Sequence, residues 1–210
     1  MNALDTMNPE IVGLLCIVAG YLCGSIMFAP IFAKLSGRGA DVYTNGNRNP
    51  GAANTFRTVG RAWGILTGVL DAAKAFVPML VGSRILGLST VQVGLIGIGA
   101  VIGHGYPLYF GFKGGRGAAT LMGVYAFLIP YELLISFVVA PIIIFSFFRK
   151  NVSLRIPSTI LTMSAILMFA FHPSVEVESM VIAAGVCTLY FSRKPIWRFI
   201  VSIPSRIGKR

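Results

Sequence analysis

The sequence predicts an all-α protein, a polytopic membrane helix bundle of about seven transmembrane helices in a single domain over residues 1–210. Of its 210 residues, 55% are hydrophobic and only 12% are charged, and the mean hydropathy is +0.78. Soluble domains carry roughly 25% charged residues, so this composition excludes a soluble fold. Apolar runs recur along the chain, and no polar stretch between them is long enough to form a separate soluble domain.

Seven apolar segments are the candidate spans. In chain order they are residues 11–35, 63–81, 90–110, 118–129, 133–148, 156–171 and 177–191. A spanning helix needs about 20 residues, so the first three segments are long enough and the last three are marginal. The fourth is too short to cross alone as a straight helix. Five or six spans therefore remain alternatives to seven.

The distribution of charge favours seven spans, with the N-terminus outside and the C-terminus inside. In that arrangement every lysine and arginine except Lys74 and Arg84 lies in an inside loop or in the C-terminal tail. This asymmetry is the positive-inside pattern of membrane proteins. Fusing the fourth and fifth segments would move the basic residues of 149–155 to the outside and break the pattern.

The net charge of +11 does not predict a nucleic-acid partner here. In so apolar a chain it fits a positive-inside bias together with an anionic ligand. The three cysteines lie in apolar runs and form neither a zinc spacing nor a disulfide framework. The sequence contains no metal cluster, nucleophile elbow, Walker lysine motif or dinucleotide fingerprint. We therefore expect neither a metal nor a cofactor.

The strongest functional signal is a glycine-rich basic motif, residues 103–117, at the end of the third segment. Its candidate residues are the two cations Lys113 and Arg116 and the binding residues His104, Gly114, Gly115 and Gly117. Glycines let the backbone approach an anion, and their N–H groups can line an anion nest. Charge is costly near a bilayer, so this motif predicts a phosphate-bearing ligand. His104 either binds that ligand or supports the loop.

The first inside loop contains an asparagine-rich segment, residues 45–57. Its candidate residues are Asn47, Asn49, Gly51, Asn54 and Arg57. Amide side chains can donate to phosphate or hydroxyl oxygens, and arginine can clamp a phosphate with two hydrogen bonds. The alternative is an ordinary solvated turn, because asparagine and glycine are common turn residues.

The second segment carries two ionisable residues, Asp71 and Lys74, three apart and therefore on one helical face. An ionisable pair inside a membrane is either a functional site or a structural ion pair that locks helices together. Taken alone, this pair favours the structural interpretation. On the third segment, Gly94, Gly97 and Gly99 predict close helix packing.

Two further basic regions and one histidine have open interpretations. The inside loop 149–155, which contains Ser153, is either a positive-inside anchor or part of a site. The basic tail from Arg193 could dock on anionic lipid. His172 beside Pro173 is interpreted as a residue of the outer membrane interface.

Taken together, these motifs resemble the bacterial acyl-phosphate:glycerol-3-phosphate acyltransferase family (PlsY). The matching elements are Gly24-Ser25-Ile26, residues 46–57, Leu70-Asp71 with Lys74, Gly103-His104 with Pro107, residues 112–117, and Val152-Ser153-Leu154. Several separated motifs in one order are far more specific than a single glycine-rich loop.

The resemblance implies a seven-helix membrane enzyme that moves an acyl chain from acyl phosphate to the 1-hydroxyl of glycerol 3-phosphate, giving lysophosphatidic acid. It implies no acyl-CoA and no metal, and a site facing the cytoplasm from the bacterial inner (plasma) membrane. Membrane lipid and a peripheral enzyme that produces acyl phosphate are the implied partners. Carried over, Arg57 would bind substrate phosphate, residues 113–117 would hold the acyl phosphate, and Ser153 would contact substrate.

The chain departs from the family pattern at several polar positions. Asn47 stands where the family has Ser, Arg48 where it has Gly, and Arg116 where it has Lys; Ser192 and Pro195 replace a His and an Asn of the closing motif, and Met27 replaces a Pro. Two alternatives follow. One is a binding or transport protein for a lipid precursor, although the inverted internal symmetry of many transporters is not visible. The other is an acyltransferase that uses another phosphorylated acceptor.

Overall fold

The computed structural model describes residues 6–147, 152–171 and 174–202. Regular structure in these ranges is helical throughout, which confirms the predicted all-α class. The helices are α1 Pro9–Gly24, α2 Phe28–Leu35, α3 Ala52–Thr58, α4 Arg61–Arg84, α5 Thr90–Gly105, a 3₁₀ turn Leu108–Phe110, α6 Ala118–Leu128, α7 Pro130–Phe147, α8 Val152–Phe171 and α9 Val175–Ser202. His172, Pro173, residues 149–151 and the tail 203–210 lie outside the described residues.

Within the described residues, each of the seven apolar segments is mainly helical. The first is divided by a break at residues 25–27 into α1 and the short α2. Four stretches of the described chain are long and apolar enough to cross a membrane: Pro9–Leu35, Arg61–Arg84, Thr90–Phe110 and Val175–Lys194. The apolar parts of α6, α7 and α8 are shorter, so the count of seven spans and the orientation remain predictions.

Helices α1 and α5 pack with their backbones in contact. A Cβ on Gly20 or Gly24 of α1 would overlap the carbonyl oxygen of Ile96 or Ala100, respectively, and one on Gly99 or Gly103 of α5 would overlap the carbonyl oxygen of Ile17 or Tyr21. Both pairs have the four-residue spacing of small residues that lets membrane helices approach closely. The predicted close packing of the third segment is therefore confirmed at Gly99.

The other two predicted glycines of α5 face different neighbours. A Cβ on Gly94 would overlap the side chain of Met180 on α9, and one on Gly97 would crowd Met79 on α4. Helices α1, α4 and α9 thus pack closely against α5, which is the central helix of the bundle.

Helix α6 lies against the middle of α4 and spans less of the bundle. A Cβ on Gly123 would overlap the carbonyl oxygen of Ala72, and the Phe127 and Phe76 rings are 6.0 Å apart. Helix α4 continues eight residues beyond Phe76, about 12 Å at 1.5 Å per residue, while α6 ends one residue after Phe127. The α6–α7 turn therefore lies within the depth of the bundle, and Ile129 there is fully buried.

Candidate functional site

A buried polar cluster of three side chains joins α4 to the end of α5. The Lys74 Nζ lies 2.9 Å from the Asp71 Oδ1 and 2.9 Å from the His104 Nδ1. It also donates to the carbonyl oxygen of Ile26, at 2.7 Å, in the break between α1 and α2. The predicted ion pair is confirmed, and it includes a third partner that sequence spacing did not show.

The glycine loop, which we define as residues 111–117, is seated on the last residues of α5. The Gly115 N–H donates to the carbonyl oxygen of His104, at 3.0 Å. A Cβ on Gly115 would overlap the His104 Nε2, and one on Gly114 would overlap the carbonyl oxygens of His104 and Gly105. Only glycine fits at these two positions without moving the loop or the histidine. These contacts favour the second alternative for His104, support of the loop, and its assignment as a ligand-binding residue remains a prediction.

The loop ends at Gly117, whose φ of +83° places it in the left-handed region before α6, where glycine is favoured. Lys113 is exposed and Arg116 is partly buried. Burial lowers the pKa of the Arg116 guanidinium from its usual value, but an arginine keeps its charge at neutral pH. The loop therefore carries two cations close to its glycines, and its role in binding an anion remains a prediction.

Helix α9 packs against α5 where the glycine loop begins. A Cβ on Gly105 would overlap the ring of Phe191, and the Tyr106 and Phe191 rings meet edge to face at 5.2 Å. Ser192, which the sequence resemblance matches to a histidine, follows Phe191 directly and is partly buried. The guanidinium of Arg193 lies 3.9 Å from the centroid of the Tyr190 ring. The side chains of Ser153 and Pro195 lie outside the described residues.

The asparagine-rich segment contains the short helix α3, which sequence reasoning interpreted as part of a loop. Asn54 is fully buried, and its Nδ2 donates to the carbonyl oxygens of Val42 at 3.0 Å and Asn45 at 3.1 Å. Its Oδ1 accepts from the N–H of Asn47, at 3.0 Å. Both amide protons of Asn54 are thus used by the backbone, so the structure supports a role in holding this turn rather than in donating to a substrate.

The other candidates of this segment lie on or near its surface. Asn47 and Arg57 are exposed and Asn49 is partly buried, whereas Gly51 is buried at the start of α3. The Asn47 Oδ1 accepts from the N–H of Asn49, at 3.1 Å. The side chains of Asn47 and Arg57 can therefore reach a ligand from solvent, and their assignment as binding residues remains a prediction.

The first site prediction concerns Asn54→Ala, which removes three hydrogen bonds from the turn. We expect the free energy of unfolding of this region to fall by about 1–3 kcal/mol, because the buried carbonyl of Val42 loses its donor. Thermal denaturation and limited proteolysis within residues 41–51 measure the effect. Asn45→Ala is the matched control, since Asn45 is exposed. Equal stability of the two variants would contradict the structural role.

Helix α3 and the glycine loop are close along one face of α4. Gly64 contacts the backbone of Phe56, and Gly68 lies against the Cβ of Ala52. With Asp71 these two glycines have the i, i+4, i+7 spacing of one helical face. Asp71 is three residues from Gly68, about 5 Å along the axis, and its Oδ1 is 3.7 Å from the His104 Nδ1. The start of α3 therefore lies beside the seat of the glycine loop.

This junction is recessed. Asp71 lies ten residues after Arg61, the first residue of α4, which is about 15 Å along the helix. Helix α2 packs against the first turn of α4, where the Phe32 and Trp63 rings are 5.3 Å apart. The His104 seat of the glycine loop thus lies between α4 and the end of α5, below the tip of α4.

Two cavities lie elsewhere in the described part of the molecule. One of about 390 Å³ lies between α2 and residues 39–43, and one of about 180 Å³ lies between the start of α1 and the α4–α5 turn. Neither is lined by the glycine loop. No group of three or more metal-ligating side chains occurs among the residues that the structure describes.

Comparison with known proteins places these features in one family. A sequence model of the family described as "Glycerol-3-phosphate acyltransferase" matches residues 14–202. The chain is 44% identical over 131 residues to the glycerol-3-phosphate acyltransferase of Anaeromyxobacter dehalogenans (strain 2CP-1), covering 61% of this chain and 65% of that relative. It is 35% identical over 187 residues to the Aquifex aeolicus protein of the same name, covering 89% and 95%.

The fold is also similar to a known crystal structure, that of PlsY (YgiH), an integral membrane glycerol 3-phosphate acyltransferase. The glycerol 3-phosphate form of that protein superimposes with a TM-score of 0.78 at 34% identity, covering 90% of this chain and 92% of that one. Its lysophosphatidic acid form gives a TM-score of 0.77. The likeness therefore extends over nearly the whole of both chains.

Proposed function

This chain belongs to the glycerol-3-phosphate acyltransferase family, and on that premise we propose that it transfers a fatty acyl group from acyl phosphate to the 1-hydroxyl of glycerol 3-phosphate. The product is lysophosphatidic acid, a precursor in phospholipid biosynthesis. The observation that carries the proposal is the glycine loop, which carries Lys113 and Arg116 and is seated on the end of α5 at His104.

Two anionic substrates need two places for phosphate. We assign the acyl phosphate to the glycine loop, where the N–H groups of Gly114 and Gly117 and the side chains of Lys113 and Arg116 surround it. The N–H of Gly115 is already bonded to the carbonyl oxygen of His104, so Gly115 contributes its backbone shape and no donor. We assign the phosphate of glycerol 3-phosphate to Arg57, with Asn47 and Asn49 beside it. The start of α3 lies against Gly68, about 5 Å along α4 from Asp71, and Arg57 lies in the last turn of α3, nearer the tip of α4. Both assigned sites therefore lie along the same face of α4. Asn54 and His104 support these two sites.

The chemistry needs positioning more than a strong base. Acyl phosphate is a mixed anhydride, so its carbonyl carbon is already activated. A bond forms from the glycerol 1-oxygen to that carbon, and the bond from the carbon to the phosphate oxygen breaks and releases inorganic phosphate. Lys113, Arg116 and the loop N–H groups stabilise the developing oxyanion and the departing phosphate.

The proton of the attacking hydroxyl goes to a phosphate oxygen of the substrates. The carboxylate of Asp71 is buried and paired with Lys74. The carboxylate of Asp41, beside the asparagine-rich segment, accepts from the N–H of Tyr43 at 2.9 Å and so closes its own turn. Since both carboxylates are engaged in these contacts, we assign the proton to a phosphate oxygen, and the scheme uses no metal or cofactor.

We place the whole chain as one multi-pass domain in the bacterial inner membrane, with the recess open to the cytoplasm. The positive-inside distribution supports this orientation, since both loops of the site are rich in lysine and arginine. A peripheral enzyme that makes acyl phosphate on the cytoplasmic face would supply the donor. Labelling of Lys113→Cys with an impermeant thiol reagent, in intact cells and in inverted vesicles, reports the side.

The test is acyl transfer by the purified protein in detergent, with palmitoyl phosphate and labelled glycerol 3-phosphate, scored as lysophosphatidic acid. Product formation that requires both substrates supports the proposal. Without product, binding of either substrate would favour the second candidate, a lipid-precursor binding protein. The specific observation behind that candidate is the closing motif, in which Ser192 and Pro195 replace two polar side chains of the family pattern.

A further inference from the structure

We propose that the buried cluster of Asp71, Lys74 and His104 positions the glycine loop, with Lys74 holding His104 as the neutral tautomer whose proton is on Nε2, against Gly115. This inference rests on the proposed function, because it assigns the cluster to the acyl-phosphate half of that site. The three side chains are positioning residues, since in this arrangement the loop and not the cluster touches the substrate.

The donors of Lys74 determine the role of the His104 Nδ1. A lysine ammonium has three N–H donors and no acceptor. The carbonyl oxygen of Ile26 and the His104 Nδ1 lie at hydrogen-bond distance, 2.7 and 2.9 Å, and the Asp71 Oδ1 forms an ion pair at 2.9 Å without hydrogen-bond geometry. The exposed fractions of Asp71, Lys74 and His104 are 1%, 7% and 3%, so little water can compete. The ammonium is fully satisfied only if the His104 Nδ1 accepts.

Because the His104 Nδ1 accepts, the proton of the neutral ring is on the other nitrogen. A proton on the His104 Nδ1 would point at a proton of the Lys74 ammonium, 2.9 Å away. A neutral imidazole that accepts at one nitrogen carries its proton on the other. The Nε2–H of His104 therefore lies on the side of the ring that faces Gly115.

The His104 residue contacts the glycine loop at Gly115. His104 holds Gly115 twice: its carbonyl oxygen accepts the Gly115 N–H at 3.0 Å, and its Nε2 occupies the space where a Gly115 Cβ would lie. The backbone at Ile26 fixes Lys74, Lys74 fixes the ring, and the ring fixes Gly115. Helices α4 and α5, the α1–α2 break and the loop are thus joined through one ammonium group.

Stability alone does not account for charges at this place. Replacing a buried ion pair by apolar residues of similar volume is often neutral or stabilising, and most of the surrounding bundle is apolar. A charged cluster gives a unique ring orientation, which apolar packing specifies less sharply. Its location directly under the loop indicates that this orientation serves the site.

The experiment compares His104→Asn with His104→Gln in purified protein, with palmitoyl phosphate and glycerol 3-phosphate. The asparagine amide can accept from Lys74 but does not reach the Nε2 position, whereas the glutamine amide can place a donor there. We expect kcat/KM for palmitoyl phosphate to fall about 100-fold in the asparagine variant, since a small misplacement of a reactive group has that effect. We expect a fall of less than about tenfold in the glutamine variant, with the KM for glycerol 3-phosphate nearly constant in both.

A second pair of variants separates positioning from folding. Asp71→Leu with Lys74→Met removes both charges together and leaves no unpaired ion. We expect the melting temperature to stay near that of the wild type while kcat/KM for palmitoyl phosphate falls as in His104→Asn. Ser164→Ala is the control, because it deletes a buried hydroxyl that bonds within α8, and it should leave turnover unchanged.

The ¹⁵N NMR spectrum of the histidine side chains tests the tautomer without any turnover, with His172→Gln used to assign the signals. The wild type should show His104 protonated on Nε2 alone, and the double variant should lose that preference. A His104 signal with the proton on Nδ1, or unchanged kinetics in His104→Asn and in the double variant, overturns the inference. Loss of the proposed function is distinct: the wild type itself would form no product while the NMR result still stood.

Discussion

Gly115→Ala is expected to lower acyl transfer by about a hundredfold or more while the helix bundle stays folded. The added Cβ would overlap the His104 Nε2, and the ring cannot retreat, because its Nδ1 is held by Lys74 at 2.9 Å. The loop must therefore move away from α5 and carry Lys113 and Arg116 with it. The measurements are kcat and the KM for palmitoyl phosphate, together with the melting temperature.

Gly111→Ala is the matched control in the same loop. Gly111 has a φ of +59°, and a Cβ there would meet open space, so the substitution brings backbone strain of about 1 kcal/mol and no overlap. We expect most of the activity to remain. Activity in Gly115→Ala equal to that of the control would show that the loop shifts freely, and the seat on His104 would then be irrelevant to turnover.

Hydropathy predicted the helices well because burial in lipid imposes a length and a composition on each segment. It predicted α6 less well, as a segment too short to cross alone. The structure supplies the reason: α6 packs on Ala72 and Phe76 in the middle of α4 and turns into α7 while still covered by other helices. Its length is set by its neighbours, and a single sequence does not contain that information.

In the site, too, the contact between residues close in sequence was predicted, and the contacts between distant residues were not. The spacing of Asp71 and Lys74 predicted their pairing, because residues three apart share a helical face. Their partners His104 and Ile26 lie 30 and 48 residues from Lys74, and no periodicity connects them. One signal was available: polar groups buried among apolar helices must find partners, and His104 was another ionisable residue in an apolar segment.

The role of Asn54 was difficult to predict, because its amide can bind either a ligand or the backbone. The amide chemistry that suits a phosphate also suits backbone carbonyls, so the sequence predicted a ligand where the structure shows bonds to Val42 and Asn45. Gly46 is the local clue. It has a φ of +63° and lies against the Asn54 side chain, as expected of a turn built around that amide.

Arg57→Ala is the second substitution from which we expect a very large effect. Arg57 is exposed in the last turn of α3, on the helix that packs along α4 beside the seat of the glycine loop. If it binds the phosphate of glycerol 3-phosphate, its loss removes a charge-assisted, two-bonded contact. We expect kcat/KM for glycerol 3-phosphate to fall by about 100-fold to 1,000-fold, with the melting temperature nearly unchanged.

Two control variants, Arg57→Lys and Arg84→Ala, test whether the effect of Arg57→Ala comes from a direct contact with the phosphate. Lysine keeps the charge but not the planar fork, so it should recover part of the loss if the contact has two bonds. Arg84 is the last residue of α4, at the end opposite to α3, and its removal changes the net charge equally without touching the recess. Equal losses in Arg57→Ala and Arg84→Ala would indicate a general electrostatic effect and contradict the assignment. A loss confined to Arg57 and partly recovered by lysine would place the acceptor phosphate at α3, next to a glycine loop that holds the donor.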